Sequence, residues 1–236
     1  MIENKRAKAA SRREKIKEQQ AAARVRDRRR RLVTYLAAGT SRSEEPGAGL
    51  APISVQPDGS VVMAQNGVTA PVVDIYEDFQ CPACKEAERV SGQTFKNLAF
   101  EGKAKVVFHP ITIFSQEPTK SNSVRAASAA RCVADGEQWM ALHDLLFDNQ
   151  PPESEKGFTP DQLKQWGKQA GVNAAGFDEC VTSGKNDGAH LAYSQKVRDE
   201  QKLSHTPTVK LNGTEMDNAV LFSPAELREE VTRAAR

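Results

Sequence analysis

The chain has 236 residues, of which 39% are hydrophobic and 27% are charged. It is therefore not too small to bury a hydrophobic core, and one or two globular domains are expected. The formal net charge is only +2, but residues 1–31 contain thirteen Lys or Arg and four Asp or Glu. The remaining 205 residues contain twenty Lys or Arg and twenty-seven Asp or Glu. The positive charge is therefore confined to an N-terminal arm.

Residues 1–31 contain good helix formers and almost no apolar face, so they predict a solvated, partly helical arm. Three interpretations are a disordered tail, a nucleic-acid-binding arm and a cytoplasmic segment preceding a membrane span. No nucleic-acid partner is expected, because aromatic and groove-reading residues are lacking. The apolar run Leu32–Ala38 has seven residues before Gly39, whereas a spanning helix needs about 20. Residues 1–40 therefore predict the arm with a truncated or partial membrane or signal segment, and residues 41–52 a linker.

The next part of the chain predicts a β-hairpin and then a β-α-β unit. In "ISVQPDGSVVMA", two short apolar runs flank Pro57-Asp58-Gly59, a turn signal. "PVVDIYEDF" predicts a strand, a helix is expected to begin at Pro82, and residues 103–114 predict a second buried strand that Pro110 ends or kinks. This order is typical of an α/β sheet.

Residues 121–200 are predicted to be helical, with one helix ending at Gly136. In "TPDQLKQWGKQAG", Thr159 and Gln162 fit a capping box. "TPTVKLNGTEM" predicts a hairpin around an Asn-Gly turn, and Ser223 and Glu226 predict a capping box at the last helix. The predicted fold is an α/β core (residues 53–120 and 201–236) with a helical insertion (residues 121–200).

The four cysteines include one close pair, Cys81 and Cys84, at the predicted start of a helix. An even number of cysteines is compatible with full oxidation in an extracytoplasmic compartment. Thiol–disulfide exchange needs an ionised, accessible thiol and a second thiol that resolves the mixed disulfide. Cys81 as the helix N-cap would have a stabilised thiolate, and Cys84 would lie one turn further in. A structural zinc site is disfavoured because Cys132 and Cys180 stand singly and far away, and an inert thiol pair is the other alternative.

Three motifs together give the chain a family resemblance: "DFQCPAC" after a strand, "WMALHDLLFDNQPP" in the helical part and "HTPTVKLNG" near the C-terminus. Residues 53–236 resemble the DsbA-like thiol–disulfide oxidoreductases of the thioredoxin-fold superfamily, including actinobacterial membrane-anchored members. The resemblance implies a thioredoxin-like core with an inserted helical domain and an enzyme without a metal or organic cofactor.

The resemblance also assigns roles to individual residues. It implies that Cys81 is the exposed nucleophile and Cys84 the resolving thiol, with Pro82 and Ala83 between them tuning the redox potential. Ala83 departs from the histidine of the most strongly oxidising members, so it contributes no charge to the thiolate.

Further site residues are expected near the C-terminus and in the helical part. The resemblance implies that Pro207 is the cis-proline beside the disulfide and that Thr206 presents its backbone to the substrate. His205 is a candidate for interaction with the Cys81 thiolate. A structural disulfide between Cys132 and Cys180 is implied by similar actinobacterial members.

Four other titratable residues have open roles. Asp74, Glu77 and Asp78 belong to or follow the first strand of the β-α-β unit, and the sequence favours neither a buried acid below Cys84 nor solvated charges. His143 is interpreted as a surface or packing residue rather than a ligand.

The resemblance implies an enzyme at the extracytoplasmic face of the cell membrane that forms disulfides in exported proteins. Its expected partners are unfolded or folding secreted proteins and a quinone-linked membrane reoxidant. The alternatives are a disulfide reductase or isomerase, and a non-catalytic thioredoxin-like binding module.

Overall fold

A computed structural model of the chain describes residues 49–235. The basic arm, the partial membrane or signal segment and the first part of the linker lie outside the described residues. Within residues 49–235, none of the helices is both long and apolar enough to cross a membrane.

A six-stranded mixed sheet forms the centre of the described part, in the order β1-β2-β4-β3-β5-β6. Its strands are β1 (Ile53–Val55), β2 (Val61–Met63), β3 (Val72–Glu77), β4 (Lys105–Pro110), β5 (Thr208–Leu211) and β6 (Thr214–Glu215). Strand β3 pairs parallel with β4, whereas every other neighbouring pair is antiparallel. The β-α-β unit predicted from the sequence is therefore confirmed, and its first strand lies between β4 and β5.

Both predicted hairpins are confirmed, and their turns show why. Between β1 and β2, Gly59 has a φ of 90° and the Asp58 side chain accepts a hydrogen bond from the Ser60 N–H (2.9 Å). Between β5 and β6, Asn212 and Gly213 have φ angles of 51° and 81°. Two consecutive positive φ angles match a tight hairpin turn, for which Asn-Gly is the preferred pair.

Nine α-helices and one π-helix are found among residues 49–235. They are α1 (Pro82–Ala87), a π-helix (Glu88–Gly92), α2 (Gln93–Phe100), α3 (Thr119–Ala130), α4 (Gly136–Asp148), α5 (Pro160–Gln169), α6 (Phe177–Ser183), α7 (Asp187–Gln201), α8 (Asn218–Leu221) and α9 (Pro224–Ala234). Helices α3 to α7 lie between β4 and β5, where the insertion is predicted. The thioredoxin-like α/β fold with helices inserted after the second strand of the β-α-β unit is confirmed, while the limits of the two domains stay a prediction.

Strand β4 is shorter than the predicted residues 103–114, and it ends at Pro110. The Ile111 N–H still donates to the Glu77 carbonyl of β3 (2.8 Å), and beyond it side chains accept from the backbone. The Thr112 N–H donates to the Ser194 hydroxyl (3.0 Å) and the Ile113 N–H to the Asp78 carboxylate (2.9 Å). This stretch therefore leaves the sheet and connects β4 to the helices.

One predicted helix boundary is wrong, and one predicted capping box is not formed. Gly136 begins α4 instead of ending a helix, because Asp135 is the N-cap and its carboxylate accepts from the Gln138 N–H (2.9 Å). A side chain at position 136 would also meet the backbone, since a Cβ there would lie 2.4 Å from the Ile53 carbonyl oxygen. At α9, Ser223 is the N-cap but makes no capping hydrogen bond with its side chain, so the predicted capping box is not formed. The capping box of Thr159 and Gln162 is present in α5.

Candidate active site

The Cys81-Pro82-Ala83-Cys84 sequence lies where β3 passes into α1, at the end of the sheet where β5 begins. Cys81 is the N-cap of α1, with extended φ and ψ of −77° and 119°, and Pro82 occupies the first turn, where a missing N–H is tolerated. The Cys81 carbonyl accepts from the N–H groups of Cys84 and Lys85, both at 3.1 Å. The predicted helix start is confirmed, and both thiols are free in this structure.

The two thiols have opposite electrostatic environments. A hydrogen bond from the Cys84 thiol, opposed by burial and aided by the backbone N–H groups of Cys84 and Ala83, lowers the pKa of Cys81 to about 6. Burial raises the pKa of Cys84 well above its ordinary value, and the neighbouring Cys81 adds to this rise. At neutral pH, Cys81 is therefore largely a thiolate and Cys84 a thiol.

Cys81 is less exposed than the sequence suggested, at 8% against 2% for Cys84. A substrate sulfur can therefore reach only a small exposed part of Cys81, while Cys84 is almost completely buried. This order of access suits an attacking and a resolving thiol.

Thr206 and Pro207 bring the C-terminal part of the chain to the cysteines. The Thr206–Pro207 peptide bond is cis. The Thr206 carbonyl oxygen lies 3.4 Å from the Cys81 sulfur, across 125 residues of sequence. The structure thus places Thr206 and Pro207 beside Cys81.

His205 lies close in sequence to this loop, but its contacts lead elsewhere. Its ring nitrogens lie 3.3 Å from the Ser204 hydroxyl and 3.7 Å from the Glu215 carboxylate. Among residues 49–235, no hydrogen bond joins His205 to Cys81, so the interaction expected from the sequence is not formed. The acidic neighbour of His205 is Glu215, which lies in the β5–β6 hairpin.

Of the three acids near the end of β3, Asp78 lies closest to the cysteine pair. Its backbone N–H donates to the Cys84 sulfur (3.4 Å), and its buried carboxylate accepts from the N–H groups of Gln80 and Ile113, each at 2.9 Å. Burial raises the pKa of Asp78 to about 7, although the hydrogen bonds from the Ile113 and Gln80 N–H groups oppose this rise. The Asp78 carboxylate can therefore exchange a proton near neutral pH.

The side chains of Asp74 and Glu77 each contact a histidine. Asp74 lies 3.0 Å from the His109 ring, which in turn contacts the Tyr193 hydroxyl at 2.6 Å. Glu77 is buried and lies 2.9 Å from His143. Solvated strand-end charges are thus the wrong interpretation for Glu77 and Asp78.

His143 is fully buried, so the surface interpretation is wrong, and the packing interpretation misses an ion-pair network. Its second ring nitrogen lies 3.1 Å from Asp144, and Asp144 accepts from Lys96 at 2.8 Å. Although burial opposes its charge, the Glu77 carboxylate raises the pKa of His143 to about 10. The signal for burial was present, because His143 follows Trp139 by four residues on the apolar face of α4.

One group of potential metal ligands accompanies this network. Glu88, His143 and Asp144 offer ligand atoms within 4.8 Å of one another. The Lys96 ammonium already lies among them, 3.0 Å from Glu88 and 2.8 Å from Asp144, and it supplies the cation that the carboxylates require. The group is therefore an ion-pair network joining α4 to α2 and the π-helix.

The loop that carries the cysteines is held by the end of the motif "WMALHDLLFDNQPP", to which the sequence analysis assigned no role in the site. Residues 148–152, hereafter the 148–152 segment, begin at the last residue of α4. The Gln150 side-chain amide donates to the carbonyls of Phe79 (2.8 Å) and Cys81 (3.0 Å). In return, the Gln80 amide donates to the Pro151 carbonyl (2.9 Å) and Lys85 to the Asp148 carbonyl (3.0 Å).

The other two cysteines form a disulfide bond, Cys132–Cys180, with a Cα–Cα distance of 6.1 Å. It links the loop after α3 to the interior of α6. The Asn186 amide lies 3.4 Å from both sulfurs. With these thiols engaged, neither can complete a zinc site with Cys81 and Cys84.

Comparison with known proteins supports this description of the site. Residues 66–229 match the thioredoxin family model. The structure is similar to the reduced form of the disulfide bond oxidoreductase DsbG from Mycobacterium tuberculosis, with 31% identity, a TM-score of 0.64, and coverage of 76% of this chain and 89% of that one. It is also similar to oxidised DsbA from the same organism, with 31% identity, a TM-score of 0.62, and coverage of 78% and 91%.

A third similar structure is the thiol–disulfide oxidoreductase MdbA from Actinomyces oris, with 26% identity, a TM-score of 0.61, and coverage of 79% of this chain and 97% of that one. No curated protein sequence matches the chain.

Proposed function

Because this chain belongs to the thioredoxin family and is a DsbA-like protein thiol–disulfide oxidoreductase, we propose that it works as an oxidase that introduces disulfides into exported proteins. The observation that carries the oxidising direction is the contrast between the two thiols. A pKa of about 6 at Cys81 stabilises the reduced form of the pair, and a stabilised reduced form makes the disulfide a stronger oxidant.

The proposed reaction begins with oxidised Cys81–Cys84. A client thiolate attacks the Cys81 sulfur, the bond between the two cysteines breaks, and the Cys84 sulfur leaves and takes up a proton. The Asp78 backbone N–H, 3.4 Å from the Cys84 sulfur, is placed to stabilise this sulfur as it leaves. A second client thiolate then attacks the client sulfur of the mixed disulfide, and Cys81 leaves as a thiolate. The client has lost two electrons and two protons, and the enzyme pair holds the electrons.

The low pKa of Cys81 favours the last step. A thiol with a lower pKa is a better leaving group, so release of the client as a finished disulfide is favoured over its reduction. The Thr206 carbonyl beside Cys81 offers an acceptor for an N–H of an extended client chain, in the manner of strand addition.

The proposed location is the extracytoplasmic face of the cell membrane, with the N-terminal arm on the cytoplasmic side. The Cys132–Cys180 bond supports an oxidising compartment, because structural disulfides persist there and are rare in the cytosol. The proposed clients are unfolded or folding secreted proteins. The proposed reoxidant is a quinone-linked membrane protein, because each turnover leaves Cys81 and Cys84 reduced.

The test is a single-turnover reaction between the oxidised enzyme and a reduced, unstructured peptide with two cysteines. We expect the peptide to leave as an intramolecular disulfide while the enzyme becomes reduced, and the Cys81→Ala variant to be inactive. A reaction that stops at the mixed disulfide, or an enzyme that reduces oxidised peptide more readily than it oxidises reduced peptide, would contradict the oxidase and favour a reductase or isomerase.

A further inference from the structure

Gln150 makes an unusual pair of contacts with the active-site loop. Its side-chain nitrogen donates to two backbone carbonyls, those of Phe79 (2.8 Å) and Cys81 (3.0 Å), which flank Gln80. An amide nitrogen carries two hydrogens, so both donors are used on this loop. The bonds span 71 and 69 residues of sequence and join the helical part of the chain to the cysteine-bearing turn.

Gln80, between these two carbonyls, binds in the opposite direction. It is fully buried, its backbone N–H donates to Asp78 (2.9 Å), and its side-chain amide donates to the Pro151 carbonyl (2.9 Å). The loop and the 148–152 segment therefore hold each other through reciprocal hydrogen bonds. Such a mutual arrangement fixes the backbone of residues 79–81 more firmly than the short helix α1 alone could.

The Cys81 carbonyl links this contact to the chemistry. It accepts from the Cys84 and Lys85 N–H groups at 3.1 Å, the first bonds of α1, as well as from Gln150. The orientation of this peptide group determines where the Cys81 sulfur lies relative to the N–H groups of Ala83 and Cys84. Those N–H groups stabilise a negative charge on the sulfur, so a displaced Cys81 would lose part of that stabilisation.

We propose that Gln150 is a positioning residue for thiol–disulfide exchange, which holds Cys81 in the N-cap orientation that stabilises its thiolate. The helical part of the chain thereby helps to set how oxidising the cysteine pair is. The inference deepens the proposed function and rests on Cys81 being the attacking thiol.

The experiment replaces Gln150 with leucine, which has a similar size and no donor. Two quantities are measured on the full chain: the pH dependence of Cys81 alkylation by iodoacetamide, and the equilibrium of the cysteine pair with reduced and oxidised glutathione. We expect Gln150→Leu to raise the pKa of Cys81 from about 6 towards its ordinary value. We also expect it to shift the equilibrium towards the oxidised enzyme by about tenfold, or ~30 mV for this two-electron couple.

A second variant and a matched control separate positioning from folding. Gln150→Glu keeps the shape but sets an acceptor against two carbonyls, so we expect a shift in the same direction and of greater size. Asn149→Ala removes a hydrogen bond from the same segment, between the Asn149 amide and the Leu145 carbonyl (2.8 Å), and does not touch the cysteine loop. We expect this control to lower the melting temperature without moving the alkylation profile or the glutathione equilibrium.

Three outcomes would count against the inference. A Gln150→Leu enzyme that matches the wild type in both measurements, while the wild-type thiol titrates near 6, would overturn the role of Gln150 alone. Equal shifts in Gln150→Leu and Asn149→Ala would show a general loosening of the end of α4 and would also overturn it. A wild-type Cys81 with an ordinary pKa would overturn the proposed function together with this inference.

Discussion

The two cysteine pairs of this chain differ in redox state and in surroundings. Cys81 and Cys84 are three residues apart, both reduced, at the start of α1. Cys132 and Cys180 are 48 residues apart and joined in a disulfide between the loop after α3 and the interior of α6. The backbone around each pair differs accordingly. N–H groups of Ala83 and Cys84 face the Cys81 sulfur, whereas the Cys180 N–H is engaged by the Gly176 carbonyl (2.8 Å) in its own helix.

The comparison shows that surroundings, rather than cysteine itself, separate a reactive pair from a structural one. A helix start and a buried partner thiol make Cys81 a stable thiolate that can attack and leave. A bond across a long stretch of chain, with a neutral amide beside it, restricts the unfolded chain and gives neither sulfur a stabilised charge. The predictions below test this division of roles.

The largest expected difference between the pairs is in activity. Cys81→Ala should abolish oxidation of a two-cysteine peptide, because the attacking sulfur is missing. The double variant Cys132→Ala, Cys180→Ala should retain activity within about twofold when it is assayed below its melting temperature. The reason is that the surroundings of a cysteine, and not the number of cysteines in the chain, determine its reactivity. A large loss of activity in the folded double variant would contradict the separation of roles.

The converse difference should appear in stability. In the chain-entropy model, a bridge that closes a loop of this length contributes about 4 kcal/mol, so the double variant should lose about that much free energy of unfolding. Denaturant titration measures it. As the control, the double variant Cys81→Ala, Cys84→Ala removes a pair that closes a much shorter loop when oxidised, so it should lose less free energy of unfolding. Equal losses of free energy of unfolding in the two double variants would contradict the difference proposed between the two pairs.

The pH dependence of stability should distinguish the pairs further. The pKa of Cys81 is lowered to about 6 in the folded reduced protein, below about 8.5 in the unfolded chain. Its contribution to stability is therefore fully present above about pH 8.5 and is lost as the pH falls through 6. Between these limits, the reduced form should gain about 2 kcal/mol relative to the oxidised form, after allowance for solvent screening.

Denaturant titrations of both redox forms at pH 5.5, 7 and 8.5 measure this gain, with the Cys132–Cys180 bond intact in each. The Cys81→Ala variant is the control and should lack the slope. A stability difference between the reduced and oxidised forms that does not change with pH would mean that Cys81 is not a stabilised thiolate.

The smallest effect concerns Ala83, the residue between the cysteines that adds no charge. Ala83→His should stabilise the Cys81 thiolate further and make the pair more oxidising, by about tenfold in the glutathione equilibrium. Ala83→Gln has a comparable side chain without the imidazole and serves as the control. If both variants shift the equilibrium equally, the volume of the side chain rather than its charge sets the potential.

Much of this architecture could be predicted because its signals are local. The Pro-Asp-Gly and Asn-Gly turns, the Thr159 capping box and Pro82 at the start of α1 each fix the backbone through neighbouring residues. The place of Cys81 at a helix N-cap followed from the same reasoning. The prediction at Gly136 was wrong because a glycine that ends a helix and a glycine at a close backbone contact cannot be distinguished in the sequence. Only the position of Ile53 in the fold distinguishes them.

The rest of the site depends on contacts between distant parts of the chain. Asp74, Glu77 and Asp78 could not be ranked from sequence, since their partners His109, His143 and Ile113 lie on other elements. The contacts of Gln150 with the cysteine loop cross about 70 residues of sequence. The sequence placed His205 near the cysteines by its position before Thr206, but the β5–β6 hairpin determines its actual neighbour, Glu215.

The central claim is that the Cys81–Cys84 pair is an oxidant, and its reduction potential tests this most directly. The measurement equilibrates the full chain with glutathione buffers and quantifies the reduced fraction by thiol alkylation, with Cys132–Cys180 kept oxidised. The account predicts a potential above about −200 mV, on the oxidising side of the glutathione couple. A value near about −270 mV, that of thioredoxin, would contradict it and identify the enzyme as a reductase.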